Sequence, residues 1–425
     1  MKARFVSLGC KVNQYETQAL KCLFAEAGYT ETESNDADVA VINSCTVTSL
    51  ADRKTRQVLR KLRREMPDCT IALTGCMPQA SNESADLAEA DIVTGTRDRQ
   101  KLLSLIDDFV KTKKRRVSLD AFSQNEPFEY LSPARFDDGF QRAYLKIEDG
   151  CDRFCAYCII PYARGRVRSR SLQSIYDETE KLVKAGYREI VLTGINISRY
   201  GSDMGFTLCD AVEAAAKVEG DFRIRLGSVE PDLITESDWH RLAAVKKLCP
   251  HFHLPIQSAC DNTLKAMNRR YTMAEFFAVV SLIRSLFQNP AISADIIVGF
   301  PGESDSDFND TCRNIASLGL LRAHIFEYSP RKGTPAADMK NQIPPPVKKE
   351  RAKTLSKICE DSAKEFAISQ KGKTARVLIE ATGSGYADNY LYVKLPPNCG
   401  KTGDFINVVL TDEDNGVCIG EPIKL

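Results

Sequence analysis

The sequence contains few of the residues and runs that mark several common classes of protein. It has one tryptophan and four histidines among 425 residues, and no apolar run approaches the roughly 20 residues that a membrane-spanning helix needs. Residues 1–5 lead directly into a short strand-like run, without the pattern of a signal peptide. We therefore expect neither membrane insertion nor secretion, and we predict a cytoplasmic location.

The chain also lacks an excess of charge of either sign. It has 58 basic and 57 acidic residues, so no global field attracts nucleic acid, and any such binding must use local patches. Apolar residues make up 43% of the chain. At this length we expect about two to four domains, each able to bury a core.

Cysteine, by contrast, is abundant, with 15 residues. Thiols stay reduced in the cytosol, so clustered cysteines there indicate metal binding or catalysis rather than disulfides. Three of them, Cys151, Cys155 and Cys158, lie within the stretch GCDRFCAYC with the spacing C-x3-C-x2-C. This compact group strongly indicates a site for metal binding or catalysis.

Three further cysteines each end a strand-like run near the start of the chain. The runs are RFVSLGC, DVAVINSC and TIALTGC, with helix-like segments between them and a fourth strand-like run, DIVTGT. This alternation predicts a parallel sheet whose strands have their carboxyl ends at one edge. Cys10, Cys45 and Cys76 should therefore converge. They could be buried core residues, but three at equivalent strand ends favour a ligand triad.

The remaining chain predicts a linker and two further domains. Periodicity fades over residues 111–139, and six strand-helix units then follow, which predicts a partial (βα)6 barrel with the loop of Cys151, Cys155 and Cys158 at its carboxyl-terminal mouth. Short strand-like runs after Gly372 predict a small all-β barrel. The predicted α/β architecture divides into residues 1–110, a linker at 111–139, and domains at 140–360 and 370–425.

The loop of three cysteines fits an iron–sulfur cluster better than zinc. A structural zinc site usually has four ligands in two separated pairs, and no fourth Cys or His follows close to this loop. The four histidines are distant: His240, His251, His253 and His324. A [4Fe–4S] cluster normally takes four thiolates, so three leave one iron open. A partial zinc knuckle is the alternative.

These features together resemble the radical S-adenosylmethionine methylthiotransferases. The resemblance rests on GCDRFCAYCIIPYARGRVRSR preceded by the domain of Cys10, Cys45 and Cys76, and it covers nearly the whole chain, including a barrel similar to the RNA-binding TRAM domain. The stretches LGCKVNQYE, INSCTVT and TGCMPQ are most similar to the branch that acts on threonylcarbamoyladenosine in tRNA. The isopentenyladenosine and ribosomal-protein branches differ after the first cysteine.

The resemblance implies two [4Fe–4S] clusters. Cys151, Cys155 and Cys158 would hold one, whose open iron binds S-adenosylmethionine, and one electron would split that cofactor to give a deoxyadenosyl radical. The triad of the first domain would hold the other, which carries the sulfur. The implied reaction is methylthiolation at C2 of threonylcarbamoyladenosine at position 37 of tRNA. The implied partners are the tRNA anticodon loop, an electron donor such as flavodoxin or ferredoxin, and a sulfide or polysulfide source.

Several strand-end residues are candidate contacts for the cofactor. The resemblance suggests that the segment LTGIN touches its methionine part, and later strands end near the same mouth; the candidates are Gly194, Asn196, Ser228, Glu230, Gln257 and Gly299, with Gly302 nearby. Each could equally serve a turn or a strand end.

Two basic stretches could bind phosphate. Residues 53–65 put seven positive charges on one helix, and Arg164, Arg166, Arg168 and Arg170 alternate just past the cysteine loop. If extended, the second stretch would point four guanidinium groups to one side, although a charge run is more often a solvated face. Competing functions are methylthiolation of isopentenyladenosine tRNA or of a ribosomal protein, and a non-catalytic iron–sulfur or zinc RNA-binding protein.

Overall fold

The computed structural model describes residues 1–81, 87–123, 126–131 and 141–423. Within these ranges no helix has the length and apolarity to cross a membrane. The architecture consists of a parallel α/β sheet, a partial barrel of alternating strands and helices, and a small closed β-barrel. The predicted fold class is therefore confirmed.

The first unit is a six-stranded parallel sheet with the order β2-β1-β3-β4-β5-β6. Its strands are β1 (Lys2–Ser7), β2 (Thr30–Glu31), β3 (Val39–Ser44), β4 (Thr70–Gly75), β5 (Ile92–Thr94) and β6 (Arg116–Ser118). Its helices are α1 (Lys11–Glu26), α2 (Ser49–Glu65), α3 (Cys76–Ser81) and α4 (Leu102–Thr112). Strands β3 and β4 are buried along their whole length, as expected for near-continuous apolar runs covered by helices on both faces.

The sheet extends further along the chain than the sequence pattern predicts. Helix α4 ends at Thr112, and the short strand β6 then pairs with β5. Residues 116–118 of the predicted linker thus belong to the sheet. Residues 124–125 and 132–139 of the predicted linker lie outside the described residues.

The second unit is a partial barrel of parallel strands. These are β7 (Arg142–Lys146), β10 (Glu189–Thr193), β11 (Arg223–Leu226), β12 (His251–His253), β13 (Ala291–Val298) and β14 (Arg322–Glu327). They form two three-stranded groups, β11-β10-β7 and β12-β13-β14. Isolated parallel bridges, including Ser228 with His253, join the groups. Strand β8 (Glu148–Asp149) pairs antiparallel with β9 (Arg168–Ser169) beside the cysteine loop.

Helices wrap the outside of this barrel and begin at clear caps. They are α5 (Ile160–Arg164), α6 (Leu172–Lys184), α7 (Leu208–Ala216), α8 (Glu236–Ala243), α9 (Asp261–Ala266), α10 (Met273–Leu286) and α11 (Asp305–Ser317). Thr235, Thr272 and Ser304 each form a capping box with an acidic side chain three residues later, which satisfies free backbone donors. The lone tryptophan, Trp239, is fully buried against Phe252.

The third unit follows the long helix α12 (Pro345–Ile368). Strands β15 (Thr374–Ala381), β16 (Ser384–Ala387), β17 (Tyr392–Lys394), β18 (Phe405–Asp414) and β19 (Val417–Pro422) close into a barrel with the order β15-β16-β17-β19-β18. Ion pairs of Arg142 with Glu380 and of Arg223 with Asp388 attach it to the amino-terminal ends of barrel strands. It therefore lies opposite the mouth, where the cysteine loop is found.

Candidate active site at the mouth of the barrel

The loop of Cys151, Cys155 and Cys158 connects β8 to α5 and is held by its backbone. Gly150 opens it with a positive φ of 88°, and a Cβ atom there would lie 2.0 Å from the carbonyl oxygen of Arg166. Only glycine fits this position. The backbone N–H of Cys151 then donates to the carbonyl of Gly165 at 2.9 Å.

Polar side chains approach two of the three sulfurs. Nδ2 of Asn196 donates to Sγ of Cys151, and a guanidinium N–H of Arg269 donates to Sγ of Cys155, each at 3.7 Å. Burial raises the pKa of the Cys151 thiol to about 11 and also raises the pKa of Cys158. Such thiols become thiolates when a metal supplies the positive charge that the surroundings lack. The donor set therefore fits an iron–sulfur cluster.

A cavity of about 310 Å³ opens beside this loop. The three cysteines line it together with four of the six predicted cofactor contacts: Asn196, Ser228, Glu230 and Gln257. Gln257 has a positive φ of 65°, and its backbone is tied to Asp295 and Ile297 by hydrogen bonds of 2.8 and 2.7 Å. A non-glycine residue held in this conformation is strained, and strain of this kind concentrates at functional sites.

Gly194 and Gly299 do not line the cavity. A Cβ atom on Gly194 would lie 2.6 Å from Oε2 of Glu148, and one on Gly299 would lie 2.4 Å from Cγ of Lys348. Gly299 also has a positive φ of 70°. Both positions therefore need glycine because of protein packing, and the structure does not support their predicted contact with a cofactor.

Two buried side chains of this site have no sequence signal that could have revealed them. Arg269 follows α9 and forms an ion pair with Glu230, which lines the cavity. Glu148 lies beneath the segment of Gly194 and accepts the backbone N–H of Asn196 at 2.7 Å. Burial raises the pKa of Glu148 well above its ordinary value. Both residues position cavity-lining groups.

Cys10, Cys45 and Cys76 converge at the edge of the first sheet, as predicted. Cys10 caps α1, Cys45 follows β3, and Cys76 begins α3 directly after β4. A Cβ atom on Gly9 (φ 106°) would lie 2.4 Å from Cβ of Cys45, so glycine permits the close approach of the two segments. Burial raises the pKa of Cys76 to about 12, with Arg164 opposing the shift and the neighbouring Cys45 and Cys10 adding to it.

The thiols of the described residues are not preorganised around a single metal ion. Among the described ranges, no three or more Cys, His, Asp or Glu side chains are arranged to hold a metal ion. Three thiols of one triad remain the donor chemistry that iron–sulfur clusters use, with each thiolate on its own iron.

Arg164 connects the first triad to the second unit. Its Nε donates to Sγ of Cys76 at 3.2 Å, and its terminal nitrogens bind Glu16 at 2.6 and 3.0 Å. Asp149 accepts from the same guanidinium at 3.2 Å, and Lys146 lies 3.0 Å from both carboxylates. All of these side chains are buried. A buried charge network therefore connects Cys76 of the first triad to Asp149, which precedes the loop of the second triad.

The predicted phosphate-binding stretch past the loop is wrong for three of its four arginines. Arg164, Arg168 and Arg170 are buried, and Arg170 pairs with Glu178 at 3.2 Å; among the four, Arg166 alone is exposed. The stretch is not extended, because α5 ends at Arg164 and β9 begins at Arg168. The guanidinium groups that were expected to face solvent instead form ion pairs with buried carboxylates.

The segment after Cys45 reaches the same cavity from the first unit. Val47 and Thr48 line the cavity opposite the cysteine loop. The hydroxyl of Ser49 lies 2.8 Å from that of Ser329, and Arg331 pairs with Asp52 at 2.5 Å. Both cysteine triads therefore adjoin one seam between the first sheet and the barrel mouth.

Comparison with known proteins identifies the family to which a chain with this site belongs. A model of the radical SAM superfamily matches residues 145–315, and a model described as uncharacterized protein family UPF0004 matches residues 2–95. The threonylcarbamoyladenosine tRNA methylthiotransferase of Bacillus subtilis is 40% identical, over 92% of this chain and 89% of that protein.

The chain belongs to the radical S-adenosylmethionine methylthiotransferase family. The predicted resemblance and the predicted enzyme class are thereby confirmed. Membership in the superfamily implies S-adenosylmethionine and a [4Fe–4S] cluster. Another methylthiotransferase of this family, the tRNA-2-methylthio-N(6)-dimethylallyladenosine synthase of Pelotomaculum thermopropionicum, is 35% identical over 91% of this chain and 88% of that protein.

Solved structures show the same fold at low sequence identity. The radical S-adenosylmethionine methyltransferase TsrM from Kitasatospora setae aligns with a TM-score of 0.57 at 13% identity, over 79% of this chain and 75% of that chain. The similarity carries the fold alone. The methylthiotransferase relatives therefore establish the family, while its members differ in the modified adenosine that their names specify.

Proposed function

We propose that this methylthiotransferase acts on tRNA and adds a methylthio group to C2 of threonylcarbamoyladenosine at position 37. The observation that carries the reaction class is that the segment directly after Cys45, through Val47 and Thr48, lines the cavity of the second triad. One set of three thiols would hold a cluster for cleavage of S-adenosylmethionine, and the other would hold a cluster that presents sulfur. No contact in the described residues favours a ribosomal-protein substrate or a non-catalytic role.

In this proposal Cys151, Cys155 and Cys158 hold a [4Fe–4S] cluster with its open iron towards the cavity. When bound, the cluster and S-adenosylmethionine supply one-electron chemistry able to activate an unreactive carbon–hydrogen bond. Asn196 and Arg269 orient the sulfurs that they contact. Val47 and Thr48 line the cavity from the other side.

Lys11 supports the choice of the threonylcarbamoyl substrate, whose substituent ends in a carboxylate. This residue follows Cys10 and is exposed, and in the described part of the chain its ammonium group has no ion pair. Surrounding protein lowers its pKa, as do Arg225 and Arg142, while Tyr390 and Glu189 raise it. Its ammonium group therefore lies within electrostatic reach of these four residues.

Arg225 is less available than Lys11 for an anionic substituent. It pairs with Glu189 at 2.8 Å and stacks on the ring of Tyr390 at 3.8 Å. The buried arginines past the cysteine loop are also paired. An apolar dimethylallyl group would gain nothing from an unpaired ammonium, whereas a carboxylate would. Lys11 is therefore the cation that we assign to the threonyl carboxylate.

The substrate assignment is tested with reconstituted enzyme, S-adenosylmethionine, reductant and sulfide. The enzyme is offered two tRNAs, one with threonylcarbamoyladenosine and one with isopentenyladenosine, and methylthiolated nucleosides are measured by mass spectrometry. We expect product from the first tRNA. Lys11→Gln should raise KM for this tRNA, while Lys217→Gln, on the far end of the barrel, should not. Product from the isopentenyl tRNA alone would refute the substrate and leave the reaction class standing.

The number of clusters is tested by iron analysis. Replacing Cys151, Cys155 and Cys158 by alanine should remove about half of the iron and abolish deoxyadenosine formation. Replacing Cys10, Cys45 and Cys76 should remove the other half, keep deoxyadenosine formation and abolish the methylthio product. Full iron in either triple variant after anaerobic reconstitution would refute two clusters. The electron donor, the sulfur source, the cytoplasmic location and the domain boundaries stay predictions.

A further inference from the structure

Two exposed aromatic side chains lie in and directly after the loop of the second triad. Phe154 lies between Cys151 and Cys155, and Tyr162 lies on α5; their side chains are 44% and 45% exposed. The ring centroids are 5.7 Å apart with an interplanar angle of 79°. Large aromatic side chains are normally buried or covered by a partner, so this pair on the rim of an active site needs an explanation.

The backbone holds Phe154 in its exposed position. Its φ is 48°, in the left-handed region that a bulky residue rarely adopts. The amide of Asn268 donates to the carbonyl of Phe154 at 3.0 Å, and the N–H of Ala156 donates to the carbonyl of Met267 at 2.9 Å. Hydrogen bonds to its backbone therefore fix the loop on both sides of Phe154. The aromatic ring itself does not pack into the core. The strain is consistent with a functional demand on the ring.

Two exposed arginines lie close in sequence to the segments that carry the pair. Arg166 follows α5, and Arg270 ends the turn that contains Asn268; both are exposed and have no ion pair within the described ranges. Exposed aromatic rings next to unpaired guanidinium groups match the chemistry of single-stranded nucleic acid, in which bases stack and phosphates pair. A protein partner would not need this combination at the entrance to a cavity for one nucleotide.

We propose that Phe154 and Tyr162 form a stacking platform for a nucleobase adjacent to the target nucleotide of the RNA. The inference rests on the proposed RNA substrate and goes beyond it by assigning the residues that hold the flanking base. Arg270 and Arg166 contact the phosphates on either side. The target nucleotide then enters the cavity while its neighbour stays on the rim.

The test measures binding of the reconstituted holoenzyme to an anticodon stem–loop RNA with 2-aminopurine beside the target. Stacking quenches the fluorescence of this base. Phe154→Ala with Tyr162→Ala should weaken binding about 5- to 100-fold and abolish the quenching. Phe154→Trp should retain the quenching, whereas Phe154→Leu, which keeps apolar bulk without an aromatic face, should lose it. Ile368→Ala removes another exposed apolar side chain, on α12, and should change neither.

The salt dependence separates stacking from phosphate contact. Phe154→Leu should leave the slope of log K against log salt unchanged, while Arg270→Gln should lower it by about 0.7. Wild-type affinity and quenching in the double alanine variant would overturn the platform while the proposed function stands. No RNA binding by the wild-type enzyme would overturn both. If the double alanine variant binds RNA normally but its cluster is no longer reduced by flavodoxin, the platform would be overturned in favour of a protein-docking surface.

Discussion

Arg164 stands out at the residue scale because it is fully buried and bonded to both units of the molecule. It donates to Sγ of Cys76 at 3.2 Å and shares Glu16 and Asp149 with Lys146. A buried ion network contributes little net stability as a whole, but removal of one partner leaves other charges uncompensated. The residue therefore matters both for folding and for the position of the first triad.

Arg164→Gln should lower the free energy of unfolding by about 3–5 kcal/mol. It should also reduce the iron retained in a Cys151, Cys155 and Cys158 triple alanine background. The exposed Arg166 is the matched control, and Arg166→Gln should change stability by no more than about 0.5 kcal/mol. Urea unfolding and iron analysis measure the two effects. Equal stability of the two variants would contradict the buried network.

Glu148 gives the site a pH dependence whose sign follows from its burial. Burial raises its pKa well above the ordinary value of 4.5, with Asp149 adding to the shift and the N–H of Asn196 opposing it. The folded protein therefore holds a proton on Glu148 that the unfolded chain loses above about pH 4.5. Its contribution to stability must fall as the pH rises from about 4.5 towards the raised pKa of the folded protein.

Glu148→Gln should remove this dependence, because glutamine stays neutral and its oxygen still accepts the N–H of Asn196. The variant should match the wild type near pH 4 and become progressively more stable than it towards pH 8. Urea unfolding at each pH measures the difference. The exposed Glu350, on α12, is the control, and Glu350→Gln should show no such divergence. A constant difference between Glu148→Gln and the wild type across the range would refute the raised pKa.

At the scale of elements, helix α2 separates a buried face from a cationic one. Thr55, Leu59 and Leu62 are buried, while its exposed cations include Lys54 and Lys61. The helix starts beside the cavity, since Thr48 both caps it and lines the cavity. Exposed lysines of this helix are thus available for phosphate, whereas Arg60 and Arg63 pair with Glu89 and Asp91.

Lys54→Gln with Lys61→Gln should weaken tRNA binding and lower its salt slope by about 0.7 to 0.9 for each phosphate that the helix no longer binds. The control changes two exposed lysines at the opposite end of the barrel, Lys217→Gln with Lys246→Gln. Binding titrations at several salt concentrations measure both slopes. If the two double variants share one slope, α2 is only a solvated face.

The same scale shows where periodicity succeeds as a predictor. The strands that end in Cys10, Cys45 and Cys76 were predictable because each is a short apolar run bounded by polar turns. Strand β6 was missed because it has three residues and follows the basic run KTKKRR. This segment is a strand because it pairs with β5, which lies more than twenty residues earlier in the sequence.

For the whole molecule, the terminal barrel is more than an appended module. Glu380 and Asp388 supply carboxylates to Arg142 and Arg223 on strands of the larger barrel, and Tyr390 accepts from Arg142 at 3.1 Å. The closed barrel therefore covers the end of the larger barrel opposite the cysteines. Its stability and that of the catalytic unit should be coupled.

Glu380→Gln with Asp388→Asn should lower the midpoint of thermal unfolding by a few degrees, because partly buried arginines lose their partners. The control is the exposed pair of Lys371 and Asp412, whose removal should cost about a degree or less. Differential scanning calorimetry measures both. An unchanged midpoint in the first variant would show that the small barrel is attached without energetic coupling.

The sequence by itself determined the six cysteines, the α/β class and the strands that present them. Those signals are local: a C-x3-C-x2-C loop spans eight residues, and each strand of the first triad is one apolar run ending in a thiol. The family resemblance rested on the same short stretches. Residues a few positions apart in the sequence stay close in space after folding, so a motif defined by short spacing can be recognised before the fold is known.

The tertiary structure alone decided which charged side chains face solvent and which glycines serve packing. Arg164 became an interior residue because Glu16 and Asp149, from separate units, meet it there. Gly194 is glycine because Glu148 fills its space. Each outcome depends on contacts between residues far apart in sequence, and burial, which sets the energy of every charge, exists only after those contacts form.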